Sequence, residues 1–195
     1  MADLVYYSQK FFGFCGVIYT VGSSTRTREE FLRLLHQFGI RKVVDVRRFP
    51  TSRFQHFRQE NLAKSLQDAG IDYVYLGKEL GGYRRGGYQS HLSTSSFREG
   101  LERLETEARD KPTAVLCAER FPWKCHRRFI GVELARRGWK VVHIIDENRT
   151  WEPKVEGEGE SPDAHLEGTM AEPGGIAHCG GEEVGGSLCW PGEPR

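Results

Sequence analysis

The sequence predicts an α/β fold: a three-layer sandwich in which a mostly parallel sheet of about five strands carries helices on both faces. Three observations predict it: five short apolar runs, segments of helical period between them, and a glycine closing several of those segments. Continuous apolar runs suit strands buried on both faces. Parallel neighbours in turn require crossovers of helical length.

VIYTVG (17–22) reads as the first buried strand, and TREEFLRLLHQFG (27–39) as a helix stopped by Gly39. Between them Ser23, Ser24 and Thr25 offer either helix caps or phosphate donors. KVVDVR (42–47) is strand-like, RQENLAKSLQDAG (58–70) is helix-like with Gly70 as its stop, and IDYVYL (71–76) is a third strand. LGGYRRGGYQSHLSTS then reads as a Gly-rich loop, followed by a helix from about Ser96 to Arg109 with Leu101 and Leu104 on one face. TAVLCA (113–118), a helix opening near Pro122 and closing at Gly138, and KVVHII (140–145) complete the alternation. Residues 1–150 are thus expected to form a single α/β domain. Residues 151–195, rich in Gly and Pro with almost no apolar period, are expected to be a disordered acidic tail.

The net charge of +1 conceals a split along the chain. The tail holds ten acidic residues against Lys154 and Arg195, which leaves residues 1–150 with an excess of nine positive charges. A basic body points to an anionic partner, a phosphate-containing small molecule or a nucleic acid, unless its side chains only solvate the surface. Five cysteines at 15, 117, 125, 179 and 189 do not form the even, regular framework of a disulfide-stapled secreted domain, which predicts a reducing, cytoplasmic setting. Asp3 stands where a signal peptide would be basic, Gly13 and Gly16 break the first apolar stretch, and no membrane-spanning run is present.

Folds of this kind bind ligands at the carboxyl ends of their strands. One such end lies in AVLCAERFPWKCHRRFIGVELARRGWKVVHIID (114–146), where Cys117 closes an apolar run and Cys125, His126, Arg127 and Arg128 follow. A helix opening at Pro122 would hold Cys125 in its first turn, where unpaired N–H groups and the helix dipole favour a thiolate or a phosphate. Cys125, His126, Cys117 and Asp45 are therefore the candidate catalytic residues, although both thiols also suit simple packing. Candidate ligand-binding residues are Ser23, Thr25, Arg47, Arg53, Glu119, Arg127 and Arg128, with Arg84 and Arg85 on the Gly-rich loop as a lid. Asp45 either acts as a base or pairs with Arg47 to close the sheet end. No metal or cofactor is expected, since a zinc site from Cys117, Cys125 and His126 would need a further ligand from His56, His91 or His143. A nucleic-acid-binding module without catalysis would need only the basic body and the Arg/aromatic loops.

In order along the chain, YTVGSSTRTREEFLRLL, VVDVRRFPTSRFQHF, YLGKELGG, and LCAE followed by CHRRFIGVELARRGWKVVHI resemble domain-of-unknown-function family 488, across roughly residues 17–146. The resemblance implies a compact α/β domain and no particular activity. VVDVRRFP and the LCAE strand end with its following helix are similar, more distantly, to rhodanese-type sulfurtransferases. Under that likeness Cys117 alone corresponds to the persulfide-carrying cysteine. The short cysteine loop of that group is here the longer segment from Cys117 to Arg127, with Phe121, Pro122 and Trp123 inside it.

Overall fold

Side-chain alternation along five parallel strands divides the interior into two layers, one on each face of the sheet. The computed structural model describes residues 16–154; the acidic tail from residue 155 onward, with its expected disorder, and Cys15, Cys179 and Cys189 lie outside the described residues. The strands are β1 (Val17–Gly22), β2 (Lys42–Asp45), β3 (Asp72–Tyr75), β4 (Thr113–Cys117), β5 (Lys140–Ile144) and a short β6 (Thr150–Trp151). Their order is β3-β2-β4-β1-β5-β6; the first five run parallel and β6 pairs antiparallel to β5. The sheet therefore has the five predicted strands and a sixth, two residues long, too short to show a period in the sequence.

Helices α1 (Arg28–Gln37) and α2 (Gln59–Asp68) cover one face. Phe31, Leu34, Leu35, Leu62 and Leu66 pack there with Val21, Val43, Ala114, Leu116 and Ile144. Helices α3 (Gly77–Leu80), α4 (Gly87–Leu92), α5 (Ser95–Ala108) and α6 (Arg127–Arg136) belong to the other. There Leu80, Phe97, Leu101, Leu104, Ile130 and Leu134 meet Ile18, Val44, Val115 and Val141. Neighbouring residues of one strand enter opposite layers, as the period of two requires.

The helix boundaries follow local chemistry. Thr27 caps α1, its hydroxyl accepting from the Glu30 N–H while the Glu30 carboxylate accepts from the Thr27 N–H, a reciprocal capping box. Ser23, Ser24 and Thr25 are not the caps. Gly39, Gly70 and Gly138 sit one residue past the C-caps of α1, α2 and α6 with positive φ, as predicted. The Gly-rich stretch is not one open loop: α3 ends at its first residue, α4 lies within it, and the connecting backbone turns at Tyr83 and Gly86 with φ of 57° and 80°. No helix among the described residues is long and apolar enough to cross a membrane.

His143 of β5 shows how the α5/α6 layer handles a buried polar group. Its Nδ1 lies 2.6 Å from the Thr20 hydroxyl, its ring stacks on Trp151, and Nε2 has no partner. Burial first, and the nearby Arg127 cation second, push its pKa down from 6.5 to about 3. Between those values the unfolded chain binds a proton that the folded one refuses. The stability contributed is complete above about pH 6.5 and is lost as pH falls toward 3. His143→Asn, which keeps a polar atom facing Thr20, is expected to flatten the fall in unfolding free energy between pH 6.5 and 4 by roughly one proton relative to the parent. Urea titrations at a series of pH values measure it, and parallel curves would show that His143 is not the group responsible.

Candidate functional site

The ends of β1 and β4 are adjacent, with Gly22 beside Cys117 in register. The pairing runs on past the strands, Ser23 N–H donating to Cys117 O and Ser24 N–H to Ala118 O, both at 2.8 Å. A Cβ on Gly22 would stand 1.9 Å from the Glu119 carbonyl oxygen, so only glycine lets the two connections run this close. From here the chain after β1 leaves for α1 in one layer and the chain after β4 for α6 in the other. Where adjacent strands send their connections to opposite faces, a crevice opens at the carboxyl edge.

The predicted helix start at Pro122 is corrected here. Pro122–Lys124 is a single 3-10 turn, Cys125 is extended (φ −138°, ψ 145°), and α6 begins at Arg127 with His126 as its N-cap residue. Phe121, stacked on Trp123, and the buried Pro122 bring the chain back so that Cys125 meets Cys117. Both sulfurs lie 3.8 Å from His126 Nδ1, and the three ligand atoms are all within 4.8 Å of one another. His126 Nε2 lies 3.2 Å from the Val46 carbonyl oxygen, which can only accept. Nε2 therefore carries the hydrogen in the neutral ring, and the Nδ1 lone pair faces the two sulfurs.

The two thiols are shifted in opposite directions. Donation from the Cys117 thiol is the largest influence lowering the Cys125 pKa, joined by the Arg127 cation and the Arg127 backbone N–H, against the opposing effect of burial. The same bond, with burial, pushes Cys117 far up. The pair therefore favours ionisation at Cys125 over Cys117. Cys125 stands just ahead of α6 and not in its first turn, and the Arg127 backbone N–H at the helix start is the smallest of the influences that lower its pKa. The Arg127 side chain is wholly buried; Nη2 donates to Arg120 O at 2.7 Å, whereas Nε and Nη1 have no hydrogen-bond partner.

The remaining sequence candidates separate. Asp45 and Arg47 form a buried ion pair: Nε donates to Oδ1 at 2.9 Å and Nη2 to Oδ2 at 2.6 Å, while Nη1 donates to Phe57 O and the Tyr73 hydroxyl to Asp45 Oδ2. Asp45 follows Val43 and neighbours Leu116 in the α1/α2 layer, while Cys117 faces the α5/α6 layer. The pair and the thiols lie on opposite faces, and the alternative of an ion pair closing the sheet end describes Asp45 and Arg47. Arg84 donates to the carbonyls of Lys78, Glu79 and Gly81, so it braces its own loop. Ser23 is buried, Thr25, Arg53, Arg85 and Glu119 are exposed, and Arg128 lies 4.5 Å over the Phe129 ring. His56, His91 and His143 bond to Arg26 O, Glu79 O and Thr20 respectively and do not join the cluster.

Two contributors were not singled out in the sequence. Tyr88, expected on a free loop, packs its ring 5.0 Å from His126 and ties its hydroxyl to Leu80 O. Arg26 donates to Gly22 O and Ile145 O, joining the ends of β1 and β5. An aromatic among glycines and an arginine after a serine pair carry no period that would have marked either.

Fold and site together define an α/β domain with a thiol–imidazole–guanidinium centre at its strand ends. The family described as "Domain of unknown function DUF488" matches residues 27–134, more than half of the chain and all of this centre, and the chain belongs to that family. No curated protein and no solved structure matches it.

Because Asp45 is fully buried, removing the Arg47 guanidinium leaves its carboxylate without a counter-charge, accepting only from the Tyr73 hydroxyl and the backbone N–H of residue 47. Arg47→Met is expected to cost about 3–5 kcal/mol of unfolding free energy, most of it recovered in the Asp45→Asn/Arg47→Met double variant. Denaturant titration of the three proteins measures this. A single-variant loss below about 1 kcal/mol would mean the pair does not hold that edge.

Proposed function

We propose that the protein is an enzyme that binds a phosphate-containing or nucleic-acid ligand at the carboxyl edge of the sheet and processes it with the Cys125 thiolate. The observation that carries this reading is the clustering of Cys117, Cys125 and His126 within 4.8 Å of one another beside the buried Arg127, whose cation is among the influences that lower the Cys125 pKa. On a phosphoester, the Cys125 sulfur bonds to phosphorus, the P–O bond to the leaving group breaks, and the departing oxygen takes the proton held by Cys117. Water then attacks phosphorus as His126 Nδ1 accepts its proton, the S–P bond breaks to restore the Cys125 thiolate, and the imidazolium returns its proton to Cys117. Arg127 offsets the negative charge on sulfur throughout. The loops beyond these strand ends, residues 23–27, 46–58, 81–86, 118–126 and 145–149, hold ten basic residues against three acidic ones, which supports an anionic ligand. Rhodanese-like sulfur transfer would require a thiolate at Cys117, whose pKa the Cys125 contact and burial push up.

A second reading is favoured by the anchoring of His126. A ring that donates Nε2–H to a backbone carbonyl and presents Nδ1 to two sulfurs has the arrangement of a metal-binding histidine, and Cys117, Cys125 and His126 would suit zinc with one position open.

Timed alkylation of the full chain against pH, read by mass spectrometry, separates the two. The thiolate reading expects Cys125 to be modified with an apparent pKa below the ~8.5 of a free thiol, before Cys117 and without any effect of chelator. Protection of both until a chelator releases one equivalent of zinc would establish the metal centre. Metal-free protein whose two thiols react only on unfolding would overturn both readings.

A further inference from the structure

Three large apolar side chains are conspicuously exposed among the described residues: Phe49, Tyr83 and Trp123, at 64, 91 and 37 %. The first two come from different connections, after β2 and after α3, and still meet with ring centroids 6.2 Å apart at 53°. Tyr83 is held in the left-handed region at φ 57°, a conformation costing a bulky residue about 1 kcal/mol, and buries almost nothing in return. Its neighbours fix it there. Arg84 bonds three carbonyls of the preceding turn, a Cβ on Gly81 would stand 2.7 Å from Arg48 Cα, and one on Gly82 would stand 3.0 Å from His126 Nδ1. The exposed rings are thus braced at the border of the thiol centre.

Charge identifies the occupant. Segments 46–58 and 81–86 contain six arginines and no acidic residue; Arg47 and Arg84 are committed internally, while Arg53 and Arg85 are exposed. A bare phosphate would need the cations and not the rings, and an apolar peptide the rings and not the cations. Bases that stack on aromatic faces while their phosphates meet arginines need both.

We propose that Phe49 and Tyr83 form a stacking platform for the unpaired bases of a single-stranded nucleic acid, whose phosphates are met by the flanking arginines. This rests on the reading of the strand-end cleft as the ligand site and names its substrate class: a polynucleotide that lies across the platform and presents its backbone to Cys125.

The test is fluorescence anisotropy with a labelled twelve-nucleotide oligothymidylate and an abasic strand of equal length and charge, using the full chain. The platform predicts that Tyr83→Ala or Phe49→Ala weakens oligothymidylate binding roughly ten- to hundredfold, that Tyr83→Phe retains it, and that the abasic strand binds the parent as weakly as oligothymidylate binds Tyr83→Ala. Arg85→Gln is expected to lower the salt dependence, which the aromatic substitutions should leave alone. Because Tyr83 is almost wholly exposed, its variants test binding rather than folding. Equal affinity for the abasic strand, or adsorption to anionic phospholipid vesicles with no binding of either strand, would overturn the proposal. Cys125 alkylation is scored separately: base-dependent binding with an inert Cys125 leaves the platform standing and the enzyme reading fallen, and a reactive Cys125 without strand binding does the reverse.

Discussion

The buried guanidinium of Arg127 is the constraint around which the rest of the site is arranged. A cation withdrawn fully from water carries a desolvation cost of several kcal/mol unless a counter-charge and hydrogen bonds replace the solvent. Burial lowers the Arg127 pKa, and attraction to Cys125 and then Cys117 is what opposes it most strongly. Only one hydrogen bond, to Arg120 O, satisfies the group directly. Sulfur and guanidinium therefore act on each other: the cation, after the Cys117 hydrogen bond, lowers the Cys125 pKa, and the two sulfurs raise the Arg127 pKa against burial. The same charge reaches His143 and, after burial, contributes to keeping that imidazole neutral.

Strand alternation decides which polar residues can cooperate with that pair. Val46 and Cys117 face the α5/α6 layer; Asp45 and Leu116, one residue earlier on each strand, face the other. The Asp45–Arg47 ion pair is consequently sealed under α2 and the Phe57 turn, where Tyr73 completes its hydrogen bonding. It holds the sheet edge on one side of the crevice while the thiols occupy the other. One cleft containing all of these residues would need Asp45 and Cys117 on the same face, which the register excludes.

Much of this was legible in the sequence and some could not be. Buried parallel strands announce themselves as short apolar runs, and the stops at Gly39, Gly70 and Gly138 are visible because a positive φ past a helix favours glycine. The Cys125-His126-Arg127 run was readable as an electropositive thiol setting because its residues are contiguous. The register between β2 and β4 was not, since the strands are far apart in the chain and become neighbours only through the sheet order. Hence the facing of Asp45 could not be chosen from its alternation with Arg47 alone. Helices α3 and α4 were missed because four and six residues among glycines show no apolar period, and β6 because two residues show none. The start of α6 was misplaced because proline suits the first position of a 3-10 turn as well as that of an α-helix.

His126 explains why so small a cluster can be kept in place. Its Nε2 bonds the carbonyl of Val46 just beyond β2, Tyr88 of α4 packs on its ring, and Gly82 approaches so closely that an added Cβ would stand 3.0 Å from Nδ1. Connections following β2, β3 and β4 therefore all meet on one imidazole. The same contacts that orient Nδ1 toward the sulfurs also hold the loop that carries Tyr83. Displacing the ring would move both the thiol centre and the aromatic border together, so the placement of the two sulfurs and of the exposed ring pair depends on a single side chain.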